Sequence, residues 1–338
     1  MKKIFSVLAM LLVLATTACE KENYAPTSDA LINFDYLWQE FDQRYGNFEV
    51  KNINWPALRD KYRPQLNTTS TNADLHRVLE QLINELDDNH VTIAPTDGKL
   101  KYLVSDATHQ LNHIPTLELI KSKYLTEAKI ATPEITYGLL PGNIGYIDIT
   151  LFDDKFKNYE PNLDQIIDYL RDTKGLVLDI RNHQGGRDEV AQYVAGRFAS
   201  SPALYMKARK RNGPQHTEFT DWYEWQVKPT GKSQYRKPIV ILTSDFTISA
   251  AETFLLAMKR LPQVKQVGTT TSGDFSDRAT LEMPNGWQFT LSIGDYRDHN
   301  GVSWEGKGLK PDVEIQNTPQ DIEANKDLML EKAIDLLQ

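Results

Sequence analysis

Between residues 141 and 268 the chain alternates short apolar runs with amphipathic stretches, and this alternation restricts its fold more than any other feature. The segment 175–180 (GLVLDI) is too short for a helix and too continuously apolar for a half-exposed strand, so it reads as a buried strand, and 239–242 and 264–267 read as further strands. A turn and strand at 141–152 precede them, and helical stripes at 163–170, 190–198 and 250–261 fall between them. Strands alternating with helices imply an α/β fold, a mostly parallel sheet flanked by helices. Upstream, Leu31, Phe34, Leu37, Trp38 and Phe41 recur at helical spacing, followed by Trp55, Leu58 and Tyr62. A further stripe, from Leu75 to Leu86, begins at a Thr71/Asp74 cap. Residues 91–94 read as a strand, 287–293 as a hairpin partner and 322–337 as one closing amphipathic helix. The stretch 95–140 mixes short apolar segments with polar connections and carries no legible pattern.

Charge narrows the partners. With 38 Lys plus Arg against 46 Asp plus Glu the formal charge is −8, which argues against nucleic acid and gives no basic surface for a membrane. The N-terminus is different in kind. Lys2 and Lys3, an apolar run at 4–14 and small residues at 15–18 precede Cys19, the only cysteine, so no disulfide can form within the chain. The arrangement reads as an export signal and resembles a bacterial lipoprotein lipobox, with Thr16 where Leu is more usual. Cys19 is therefore the expected lipidation site, and 20–28 a polar tether. Localisation follows as the bacterial cell envelope, an outer-membrane lipoprotein facing periplasm or cell surface.

Ser249 stands between the apolar run 238–242 and the helical stripe starting at Ala250. A serine at a strand-to-helix turn lies beside free backbone N–H groups, which favour the negative charge that develops when a hydroxyl attacks a carbonyl. A plain helix cap would use the same residue, so the rest of the chain decides. Residues 178–186 (LDIRNHQGG) end a buried strand in a glycine pair, where backbone can approach a ligand closely.

Six segments in order, 86–91 (LDDNHV), 145–149 (GYIDI), 178–186, 244–252 (SDFTISAAE), 267–273 (VGTTTSG) and 305–312 (EGKGLKPD), resemble the S41 peptidases. These are the C-terminal processing or tail-specific proteases, related to tricorn-core and retinoid-binding repeats. The resemblance implies a ClpP/crotonase-like core, a nucleophile at Ser249, and oxyanion donors on the N–H groups of Gly186 and Ala250. One branch of the family uses a Lys base after the nucleophile's helix, the other a His with a supporting Glu. No lysine lies between Lys265 and Lys307, which disfavours the first. In the second, the D-x-H segment places the base at His90 and the E-x-x-G-x-x-P-D segment places its partner at Glu305. A neutral imidazole would take the serine proton, and a carboxylate would fix its tautomer. His183 and His299 are rival bases because each borders a candidate motif, and Asn89 could support the base.

The interval 91–140 is too short for a full PDZ domain and lacks its carboxylate-binding turn. The expected organisation is a signal peptide (1–19), a tether (20–28), an N-terminal helical domain (29–92), a connecting segment (93–140), a peptidase core (141–318) and a C-terminal helix (319–338). The expected activity is hydrolysis of peptides or unfolded protein without metal or cofactor. Two rivals use the same fold: a non-catalytic module binding an apolar ligand or peptide, with Trp222, Tyr223 and Trp225 lining a pocket, and an esterase or transacylase.

Overall fold

The computed structural model describes residues 25–96, 98–105, 114–153 and 159–338. The expected signal peptide, Cys19 and the start of the tether lie outside the described residues. The N-terminal helices are α1 (Ala30–Arg44), α2 (Trp55–Tyr62) and α3 (Asn72–Asn84). Asp29 opens α1 by accepting the Leu31 and Ile32 N–H groups at 2.8 and 3.1 Å, and Thr71 and Asp74 form a reciprocal capping box on α3. One apolar face of each helix enters a shared core containing Phe34, Leu37, Phe41, Trp55, Leu79 and Leu82.

Half of that core comes from elsewhere. Strands β1 (Thr92–Ala94) and β2 (Leu103–Val104) join β11 (Arg278–Glu282) and β12 (Gln288–Ser292) in an antiparallel sheet of order β11-β12-β1-β2. Phe289 and Leu291 of β12 pack against the helices, so the N-terminal unit includes a hairpin from the far end of the chain.

The main sheet has seven strands in the order β14-β10-β9-β6-β5-β4-β3. Its parallel part is β5 (Ile144–Ile149), β6 (Leu176–Asp179), β9 (Ile239–Thr243), β10 (Val264–Gly268) and β14 (Val313–Glu314). The central strands β6 and β9 are buried along their whole length, which explains their nearly continuous apolar composition, whereas β10 and β14 toward the margin carry exposed polar residues. An antiparallel margin, β3 (Glu127–Thr132) and β4 (Ile135–Leu140), extends the sheet into residues read from sequence as a connecting segment. A third sheet, order β13-β7-β8, combines β7 (Ala203–Lys210), β8 (Tyr223–Val227) and β13 (Gly294–Asp298).

The expected single helix over 322–337 is two, Pro319–Glu323 and Leu328–Leu337. Asn325 adopts a left-handed φ of 54°, and Asp327 turns inward to cap Leu330 N–H at 3.1 Å while receiving Arg181 Nη1 at 2.8 Å. Arg181 is buried and already paired with Asp179 at 2.6 Å, so the helix breaks where a second carboxylate reaches this guanidinium.

Candidate active site

Ser249 lies at the first turn of the helix Ala250–Met258, just beyond the C-terminal end of β9. The intervening turn is pinned from beneath. Thr247 Oγ1 accepts the Ser244 N–H at 3.0 Å and donates its own proton to the Ile180 carbonyl at 2.8 Å; Ile248 N–H reaches the His183 carbonyl at 3.2 Å. Ser249 is held at φ 61°, ψ −123°, a strained conformation that costs about 1–3 kcal/mol and clusters at active sites. It is also the kind of sharp strand-to-helix turn that exposes a serine above a sheet.

Glu252 secures this turn. Fully buried, it accepts hydrogen bonds from Ser249 N–H (3.1 Å), Thr271 Oγ1 (2.6 Å), Gly273 N–H (2.8 Å) and Asp274 N–H (2.9 Å). Burial, reinforced by Asp274, pushes its pKa up to about 8, while these donors pull the other way. Asp274 then reaches the His90 loop: its carboxylate accepts Asn89 N–H at 2.9 Å, Asn89 Nδ2 at 3.1 Å and the Ser272 hydroxyl. A hydrogen-bonded path therefore runs from the Ser249 backbone through Glu252 and Asp274 to the residue before His90.

His90 is almost fully buried, with its backbone fixed on both sides: N–H to Asp88 Oδ1 at 2.9 Å, and carbonyl from Thr290 Oγ1 at 2.6 Å. Its Nδ1 is buried without a hydrogen-bond partner, while the ring lines the same cavity as Ser249, so Nε2 is the nitrogen available there. Glu305 lies in the acidic cluster behind this loop, its carboxylate oxygens within 4.8 Å of those of Asp88 and Asp274. Its Oε2 accepts Phe275 N–H at 2.7 Å, and its Oε1 faces Lys51 Nζ at 3.5 Å with no hydrogen bond. No hydrogen bond joins Glu305 to the His90 ring. Burial, and next the Asp88 charge, raise the Glu305 pKa well above the carboxylate range against the pull of Lys51. Three such carboxylates could hold a cation, and the Lys51 ammonium already faces them.

The glycine pair bends around Phe152. Phe152 N–H bonds the Gly185 carbonyl at 2.8 Å and Arg187 N–H bonds the Phe152 carbonyl at 3.0 Å, so the Gly186 N–H between them points away from that strand. Gly185 has φ 88°, and a Cβ there would stand 2.8 Å from the Ser249 Cβ. Neither the Gly186 nor the Ala250 N–H takes part in a hydrogen bond among the described residues. Both are free donors beside the serine.

Of the rival bases, His183 is fully buried, its Nδ1 accepts Gly185 N–H at 3.0 Å, and burial drives its pKa down to about 3. It shapes the glycine turn and is closed to a substrate. His299 is paired with Arg260 Nη1 at 2.9 Å and does not line the cavity. Lys210 does line it, a residue sequence reasoning passed over; burial pulls its pKa down, and Asp277 at 2.6 Å more than offsets this and holds the ammonium above the ordinary lysine value. The roles of Lys51 and Asp274 were also missed. Lys51 carries no local signal, whereas Asp274 directly follows the 267–273 segment.

The cavity, about 660 Å³, is bordered by Ser249, His90 and Gly186 together with Asp188, Glu189, Lys210, Asp277 and Arg278. Tyr223 and Trp225 also reach it, while Trp222 packs under the cations of Lys207, Arg209 and Arg297.

A strained serine at a helix start, a histidine and unused backbone donors around one cavity are the equipment of a serine hydrolase. The sequence matches the Peptidase family S41 model over residues 143–315, slightly over half the chain, and the Tricorn protease C1 domain over residues 26–84. The chain belongs to peptidase family S41. It is 28% identical over 176 residues to the carboxy-terminal processing protease CtpA of Bacillus subtilis (strain 168), covering 52% of this chain and 35% of CtpA. The fold is similar to that of a candidate peptidase from Parabacteroides merdae ATCC 43184, with TM-score 0.82, 28% identity, and 92% of this chain and 97% of that one covered. Mature CPAF shares the fold at TM-score 0.67 and 11% identity, with 91% of this chain and 97% of that one covered.

Proposed function

We propose that the protein is a serine peptidase that hydrolyses peptide bonds in peptides or unfolded polypeptides. The observation that carries this reading is the strained Ser249 elbow, facing the same cavity as His90 and Gly186. His90 Nε2 takes the Ser249 hydroxyl proton as Oγ attacks the substrate carbonyl carbon. The Gly186 and Ala250 N–H groups receive the resulting oxyanion. The imidazolium returns its proton to the leaving amine, and water attacks the acyl-enzyme by the same route to free Ser249. Glu305, once ionised, steadies the imidazolium from behind, where the unpaired His90 Nδ1 and Glu305 Oε1 are complementary.

Charged groups around the cavity mouth favour a polar peptide over an apolar ligand, which weighs against the binding-module alternative. The relation to CtpA supports a carboxy-terminal processing role as the finer reading. Among the described residues no helix is long and apolar enough to cross a membrane, and attachment to the cell envelope would come from a lipid on Cys19. A fluorophosphonate probe should label the wild-type chain at Ser249 and leave Ser249→Ala unlabelled. Absence of labelling in the folded wild type would favour the binding module instead.

A further inference from the structure

The antiparallel sheet of the N-terminal unit ends at β11, and β11 begins at the active-site cavity, where Asp277 and Arg278 form part of the wall. Its hydrogen-bonding parity can be worked out. Ile293 N–H bonds the Asp277 carbonyl at 2.9 Å, and Met283 N–H bonds the Trp287 carbonyl at 2.8 Å. In an antiparallel ladder bonded pairs alternate with unbonded ones, so the odd-numbered positions from Asp277 to Met283 face β12. The N–H and C=O of Arg278, Thr280 and Glu282 therefore point outward from the sheet, and no hydrogen bond among the described residues uses them. All three residues are exposed. The other edge strand at the cavity, β8, is partly covered: Gln192 Nε2 occupies its Gln226 carbonyl at 3.0 Å.

We propose that β11 is the docking edge for the substrate, which adds to it as an extended strand through alternate backbone groups and is thereby guided to Ser249. This rests on the peptidase reading and names its substrate class: an unfolded or extended segment, recognised mainly by main chain. A scissile bond must be unwound to reach a serine set in a cavity wall, and an extended strand offers its donors and acceptors with the same two-residue period as Arg278, Thr280 and Glu282. The free edge is continuous with the cavity, so a segment paired there leads into it without a turn. Recognition of this kind tolerates varied side chains, because the hydrogen bonds go to groups that every residue but proline carries.

The test uses the Ser249→Ala chain and a fluorescein-labelled unstructured decapeptide, with binding read by anisotropy. A series of the same peptide N-methylated at successive positions should lose about five- to tenfold in affinity at every second position of the bound stretch, with little change between. Thr280→Pro and Glu282→Pro each remove an outward N–H without touching the β12 ladder. Either variant that keeps the wild-type circular dichroism should bind the unmethylated peptide about five- to tenfold more weakly. Losses without alternation, or a folded proline variant that binds as tightly as Ser249→Ala alone, would overturn the proposal; should both variants unfold, the methyl series decides by itself. Alternating losses in a chain whose wild type resists fluorophosphonate would keep the docking edge and remove the hydrolase. Labelling with no alternation would do the reverse.

Discussion

Acid should destabilise this protein in part through a single imidazole. His183 is fully buried, its Nδ1 is committed to Gly185 N–H at 3.0 Å, its Nε2 has no partner, and its ring lies 4.2 Å from that of Phe152. A proton on this ring has nowhere to be solvated, and burial pushes the pKa down to about 3 from an ordinary value of 6.5. Between those two values the unfolded chain holds a proton that the folded chain refuses. The stability tied to neutral His183 is thus fully present above pH 6.5 and is lost as pH falls toward about 3. At pH 5, about 1.5 units below the unfolded pKa, the loss is about 2 kcal/mol. His183→Asn keeps an acceptor near the Nδ1 position and cannot titrate. At pH 7.5 it should be less stable than wild type by about 1–3 kcal/mol, from lost packing. Urea unfolding followed by tryptophan fluorescence at pH 7.5, 6.5 and 5.0 gives both slopes, and the wild type should lose about 2 kcal/mol more than the variant across that range. Equal losses would refute the reasoning and reopen His183 as a group that titrates in the folded protein.

Two further outcomes follow from the site. Gly185→Ala places a methyl 2.8 Å from the Ser249 Cβ at a φ of 88°, so the elbow must shift, and fluorophosphonate labelling should slow about a hundredfold or more, measured beside circular dichroism. A labelling rate near that of the wild type would mean that close packing at this turn does not set the serine. Because the Glu305 pKa is raised, its carboxyl is neutral at low pH and its support for the imidazolium grows as pH rises. Glu305→Gln should therefore lack the gain in kcat/KM that the wild type makes on the alkaline side, and pH profiles of the two that run in parallel would remove Glu305 from the proton path.

Much of the fold could be read because its strongest signals are local. The central strands β6 and β9 are buried along their whole length and so appear as nearly continuous apolar runs, and Ser249 stands at a strand-to-helix turn visible within twelve residues. Local signals also misled in one place: the apolar stripe from Ile322 to Leu337 continues smoothly, and only the need of a buried Arg181 for Asp327 breaks it. β3 and β4 escaped notice because neither has the alternation of a half-exposed strand, and their pairing with β5 gives them their place.

The arrangement around His90 was hidden for a different reason. Thr92 pairs with Thr290, Asn89 with Asp274, and Lys51 meets Glu305, contacts between residues far apart in the chain that depend on the β12 hairpin closing over the N-terminal helices. Sequence motifs can nominate His90 and Glu305 separately; only this closure brings the His90 loop against the cluster of Asp88, Asp274 and Glu305. It also gives the two halves of the protein a shared stake in the site, since Glu252 anchors the Ser249 turn and Asp274, which it holds, anchors the His90 loop. Disturbing the N-terminal packing should consequently reach the site through the position of His90 before it reaches the α/β core, because the Ser249 elbow is pinned within that core to Ile180 and His183.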